Sequence, residues 1–207
     1  MLKKMYFCEL KILKIRMISS RENIMIAISS SPRTAFNTKS IALLLNEKRD
    51  LLLTKKLNYY VQKGLLLNPR KGVYTKINPN MEELAGLVFV PSYISLQYVL
   101  QKAGVVFQYD SAITSVSYLN REIEMCGQTF RYNQVKKEIA YNLEGIERRD
   151  NINIATPERA LLDMMYLNSE CYFDNIDGIN KRKIAQLLSI YQSPRLNERV
   201  KELFKTK

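Results

Sequence analysis

Between residues 48 and 71 the chain carries side chains suited to nucleic acid: Lys48, Arg49, Thr54, Lys55, Asn58, Arg70 and Lys71. An asparagine amide can hydrogen-bond adenine with both its ends, while lysine and arginine engage guanine edges or phosphate oxygens. A second group, Glu158 and Asp163 within ATPERALLD, invites acid–base or metal chemistry. Their i, i+5 spacing puts them about 500° apart around a helix, hence on different faces. Helix capping and a buried ion pair with Arg159 or another basic residue fit them better. The chain contains no histidine, so Ser-His, Cys-His and histidine–metal arrangements are excluded within it. Cys8, Cys126 and Cys171 are odd in number and far apart. They suit neither a disulfide framework nor a zinc site and are read as reduced, partly buried thiols. No cofactor or metal is called for.

The elements that must position the first group follow from periodicity. Leu53, Leu57, Tyr60 and Val61 recur at i, i+4, i+7 and i+8, the inward stripe of an amphipathic helix that turns Thr54, Lys55 and Asn58 outward. Gly64 ends that helix. Leu65, Leu66 and Leu67 then read as a strand, residues 68–72 as a turn, and Val73, Tyr74 and Thr75 as the returning strand, with Arg70 and Lys71 at the hairpin tip. Upstream, Asn37 caps a helix over Thr38–Leu45, and residues 46–49 break the chain before the long helix, which leaves Lys48 and Arg49 at its entrance. A further helix is expected over residues 20–29. Helices joined by a short turn and followed by a basic hairpin make a winged helix-turn-helix, a motif whose second helix enters the DNA major groove.

Charge agrees with that placement. Residues 1–80 hold 16 Lys and Arg against 4 Asp and Glu, whereas residues 81–207 hold 16 of each, so the whole net charge of +12 lies in the first part. Such an excess attracts polyphosphates through counterion release. No apolar run approaches the roughly 20 residues of a membrane span, and charged residues interrupt any signal-peptide core near Lys3 and Lys4, so a cytoplasmic protein without a membrane partner is expected. Residues 1–19 are read as an N-terminal extension, either docked on the body or serving as a DNA-embracing arm or dimerising segment. Residues 20–80 are read as the DNA-binding domain and residues 81–207 as a second, α+β domain, with Asn78-Pro79-Asn80 as the joint.

In the second domain a helix is expected over residues 92–103, a strand over 112–118, and a hairpin of strands 121–125 and 129–135 around Cys126-Gly127-Gln128. Short strands are expected at 138–141 and 151–155. Thr156 and Pro157 open a helix through ATPERALLDMMYL, and two more helices follow, around Ile184 to Ile190 and after Pro194.

This order of motifs resembles the AbiEi family, the antitoxin and transcription-regulating half of type IV toxin–antitoxin pairs that act in abortive infection and phage defence. The likeness covers about residues 20–193. It rests on KGLLLNPRKGVYTK, on YISLQYVLQKAG, and above all on INIATPERALLDMMYL. Ala103 stands where the family often has a histidine, so no role of that histidine carries over. The resemblance implies an N-terminal domain that binds operator double-stranded DNA and represses its own operon, and a C-terminal domain that neutralises a cognate nucleotidyltransferase-like toxin. It implies no enzymatic activity. Two other readings stay open: a phosphotransferase or nuclease-like enzyme using carboxylates near Asp163, and an RNA-binding adaptor using the same basic face.

Overall fold

The structure, a computed structural model, describes residues 20–205. The extension 1–19, Cys8 included, lies outside the described residues. Among those described, nine α-helices, one 3-10 helix and two sheets make a mixed α+β chain that divides into two compact units between Pro79 and Asn80.

The first unit runs α1 (Ser20–Ser30), β1 (Ala35–Asn37), α2 (Thr38–Leu45), α3 (Leu51–Gln62), β2 (Leu67–Arg70) and β3 (Val73–Thr75). Its three strands form an antiparallel sheet in the order β1-β3-β2. The core gathers Ile24 and Ile28 of α1, Phe36 of β1, Ile41 and Ala42 of α2, Leu53, Leu57 and Tyr60 of α3, and Leu66 and Tyr74 of the hairpin. Local chemistry fixes the boundaries. The Asn37 side chain accepts from the Ser40 backbone N–H at 2.7 Å and opens α2. Asn46 takes a left-handed φ of 52° and closes it. Asp50 accepts from the Leu53 N–H at 2.8 Å and opens α3, and Glu47 pairs with Lys56 at 3.0 Å, tying the intervening loop to α3. Lys76 donates to the carbonyls of Ser29 and Ser31, which satisfies acceptors at the end of α1.

The hairpin is tighter than the spacing suggests. Its first strand is Leu67–Arg70 rather than the leucine run 65–67, and Arg70 pairs with Val73, so the turn is Lys71-Gly72. The Asn68 amide explains the shift: it donates to the carbonyls of Arg70 and Val73 at 3.1 and 2.8 Å and stitches the two strands together below the tip. Gly72, at φ +79°, makes the turn, and its carbonyl accepts from the Thr38 N–H at 3.1 Å, anchoring the tip to the start of α2.

The second unit begins with α4 (Met81–Val88), capped by Asn80, followed by β4 (Ser92–Ile94), α5 (Gln97–Lys102), β5 (Ile113–Ser117), β6 (Arg121–Met125), β7 (Gln128–Gln134), α6 (Lys137–Tyr141), β8 (Ile146–Arg149) and β9 (Ile152–Ala155). Then come α7 (Pro157–Leu167), α8 (Lys181–Leu187), the 3-10 turn Leu188–Tyr191 and α9 (Pro194–Lys205). The sheet order is β6-β7-β5-β4-β9-β8, with parallel pairs β7/β5 and β4/β9 and antiparallel pairs elsewhere. The expected helix over 92–103 is corrected: its first three residues are the central strand β4, all buried and bonded to both β5 and β9. Residues 137–141 are likewise helical, not a strand. Cys126, expected to be partly buried, is exposed at the β6–β7 turn, and Cys171 is half-buried.

Because Asp50 alone supplies the side-chain cap of α3, Asp50→Ala should lower unfolding stability by about 1 kcal/mol, and Asp50→Ser should restore most of it. Urea titration of the two variants checks this; equal stability of Asp50→Ala and the parent would contradict the capping role.

Candidate functional site

On α3 the buried residues are Leu53, Leu57 and Tyr60, and they fix which side chains the helix presents. At 100° per residue, Leu51, Lys55, Asn58 and Gln62 fall at i, i+4, i+7 and i+11 on the opposite side, within a stripe about 60° wide. All four are exposed. Of the side chains expected to face outward, Lys55 and Asn58 lie on this stripe. Thr54 does not share it: it is half-buried at the margin, and its hydroxyl donates back to the Asp50 carbonyl at 3.2 Å. The Tyr74 hydroxyl of β3 donates to Asn58 Oδ1 at 3.4 Å, so the hairpin fixes one end of that amide. Burial pushes the Tyr74 hydroxyl up, which keeps it a donor.

Lys48 and Arg49 are exposed in the loop that enters α3, and Arg70 and Lys71 are exposed at the hairpin tip. The fold thus holds two cations at the entrance of the helix and two on a hairpin bonded to α2 through Gly72 and in contact with α3 through Tyr74. Lys56 and Lys76 are spent on internal partners, Glu47 and the end of α1. Leu51 and Gln62 were not singled out from sequence. A leucine reads as core, and only its spacing from Lys55 and Asn58 marks it as outward.

In the second unit the ATPERALLD segment builds a buried polar hub. Thr156 caps α7 by accepting from the Arg159 N–H at 3.3 Å. Arg159 and Asp163, one turn apart, are both fully buried, with Nε 3.4 Å from Oδ1. The Asp163 carboxylate accepts from the hydroxyls of Tyr93 (3.2 Å), Ser95 (2.7 Å) and Tyr191 (2.6 Å). Arg159 donates to the Ile139 and Glu144 carbonyls at 2.8 and 3.1 Å and to the Tyr93 hydroxyl at 3.0 Å, and its guanidinium lies 5.5 and 5.2 Å from the centres of the Tyr93 and Tyr191 rings. One ion pair therefore joins the central strand β4, helices α6 and α7, and the 3-10 turn. Gly145, at φ +73°, makes room for it, since a Cβ there would meet Arg159 Cβ at 3.0 Å.

Burial pushes the Asp163 carboxyl upward, against the opposing pull of Arg159 and the three hydroxyls. Burial, then the Asp163 charge, pushes the Tyr93 and Tyr191 hydroxyls well up, so both remain donors. Nothing in this hub reaches the surface to meet a substrate. Glu158, on another face of α7, is also buried and accepts from the Asn180 N–H at 3.2 Å. A cavity of about 370 Å³ lined in part by Met165, Cys171, Phe173 and Arg199 opens between α7 and α9, but burial pushes the Cys171 thiol up, away from the reactive thiolate. Among the described residues no group of three or more His, Cys, Asp or Glu could hold a metal ion, and no helix is long and apolar enough to cross a membrane.

No family model matches the chain, and no curated protein matches it.

Asp163→Asn should cost ~3–5 kcal/mol of unfolding stability, because it leaves the Arg159 charge buried without its partner. Tyr191→Phe should cost ~1.5–3 kcal/mol for the loss of one hydrogen bond to a charged group, with Tyr93 still donating to the same carboxylate oxygen. Chemical denaturation measures both. An Asp163→Asn protein as stable as the parent, yet lacking a phosphotransfer activity that the parent has, would instead assign this hub to catalysis.

Proposed function

We propose that residues 20–80 form a winged helix-turn-helix that binds operator DNA, and that residues 81–207 bind and inhibit a nucleotidyltransferase-like toxin, the whole acting as an antitoxin and repressor of its own operon. The observation that carries the DNA reading is the outward stripe of α3 with Lys55 and Asn58 at its centre. Supporting it are the order helix, strand, helix, helix, strand, strand with a β1-β3-β2 sheet. Over residues 20–80, eleven Lys and Arg stand against three Asp and Glu. In this reading α3 lies in the major groove, Lys48 and Arg49 meet phosphates at its entrance, and Arg70 and Lys71 reach the adjacent backbone or minor groove.

The toxin-binding half of the proposal rests on the resemblance of ATPERALLD and its surroundings to the AbiEi antitoxins. What the geometry adds is a reason for that segment to be so particular. Capping, the Arg159–Asp163 pair and the tyrosine hydroxyls require those residue types in that order, so the motif is the frame of the unit rather than its contact surface. A neutral, mixed-charge surface suits a protein partner better than a polyanion.

The test uses the full chain. A Lys55→Glu, Arg70→Glu double variant should melt like the parent, because both side chains are exposed, and should bind a duplex of its own upstream promoter at least ~10-fold more weakly. Its log–log salt slope should fall by about two units if both side chains contact phosphate. Co-expressed with the cognate toxin it should still protect cells while a promoter reporter is derepressed. Unchanged promoter affinity in the double variant would sink the groove assignment. Tighter binding of duplex RNA than of promoter DNA at equal salt would favour the adaptor reading.

A further inference from the structure

Leu51 is the first residue of α3 and is 81% exposed, the most exposed of the large apolar side chains among the described residues of the first unit. A lone exposed leucine carries no meaning by itself. This one sits on the stripe shared with Lys55 and Asn58, one turn before Lys55, with Lys48 and Arg49 just upstream. We infer that Leu51 is a specificity-determining residue that packs against the C5-methyl of thymine in the major groove. The inference rests on the DNA reading above and extends it from backbone attraction to base identity.

Three features of the site argue for it. In helix-turn-helix proteins the N-terminal residues of the groove helix are the ones that reach base edges, and Leu51 stands at that end. Thymine is the one base whose major-groove edge offers an apolar group, the partner a leucine can take without leaving a polar atom unsatisfied. The flanking cations supply charge complementarity to a polyanion, which a purely apolar partner would not satisfy. Leu52, 100° further round the helix, and Leu43 and Leu44 of α2 are also exposed, so self-association through exposed leucines is the competing outcome. Leu51 differs from these three in sharing its stripe with Lys55 and Asn58.

The experiment selects a duplex from a random-sequence library with the full-length protein, then replaces each thymine of the selected duplex by deoxyuridine, which differs only in lacking the methyl. At one or two positions the replacement should weaken parent binding about three- to fivefold, the scale of one buried methyl. Leu51→Ala should weaken binding to the thymine duplex by a similar or larger factor and should be indifferent to deoxyuridine at those positions, while Lys55→Glu remains sensitive to it. Leu51→Ala should melt like the parent, since the side chain is exposed and alanine is a strong helix former. Undiminished sensitivity to deoxyuridine in Leu51→Ala would overturn the inference while leaving the DNA reading standing. So would a Leu51→Ala protein whose mass by light scattering falls by half with no change in base preference. Failure to enrich any sequence, together with unchanged duplex binding by Lys55→Glu, would overturn the DNA reading and this inference with it.

Discussion

The burial of Leu53, Leu57 and Tyr60 is the constraint on which the first unit depends. These three side chains meet Ile24, Ile28, Phe36, Ile41 and Tyr74 in one apolar cluster, and rotating α3 by even a third of a turn would expose them at about 1.5–3 kcal/mol per side chain. That cost fixes the azimuth of the helix. With the azimuth fixed, Leu51, Lys55, Asn58 and Gln62 have no other direction to face. Presentation of the stripe is thus a by-product of core packing, and the hairpin reinforces it through the Tyr74 hydroxyl on Asn58.

The second unit is held differently. Its organising contact is polar, a fully buried arginine–aspartate pair whose hydrogen bonds reach the central strand and three further segments. A buried pair of this kind gains little over apolar packing in net stability but is costly to break singly, and every donor it recruits has to be in place. Such a hub specifies one arrangement of strand, helices and turn. This explains why a run of charged and polar residues lies buried at the middle of the domain.

Much of this was legible in the sequence where long periodic signals exist. The α3 stripe, the Asn37 cap, the β6–β7 hairpin and the Thr156-Pro157 start of α7 all announce themselves through spacing or capping chemistry. The failures share a physical cause. Strand β4 is three residues long and buried on both faces, so Ser92, Tyr93 and Ile94 show no alternation, and the following helical residues drew the whole stretch into one helix. Strand β1, helix α4 and edge strand β8 escaped notice for the same shortness or lack of contrast. At the candidate site, Lys55 and Asn58 were legible from the opposite face, whereas Leu51 and Gln62 were not. Thr54 was placed outward by type, although its hydroxyl is engaged by the helix's own first turn. The Arg159–Asp163 pairing was legible as a possibility from i, i+4 spacing, but the tyrosine and serine donors come from 28 to 70 residues away and leave no local trace.

The central proposal is that a basic face centred on α3, rather than the described surface of the second unit, engages duplex DNA. Amide hydrogen exchange of the full-length protein with and without its upstream promoter duplex tests it most directly, because slowed exchange reports where the ligand seats. The account predicts new protection in segments covering residues 48–62 and 68–73 at moderate salt, released as salt is raised, with segments from 81 to 205 unchanged. Protection confined to residues 81–205, or none in the α3 segment at saturating duplex, would contradict it.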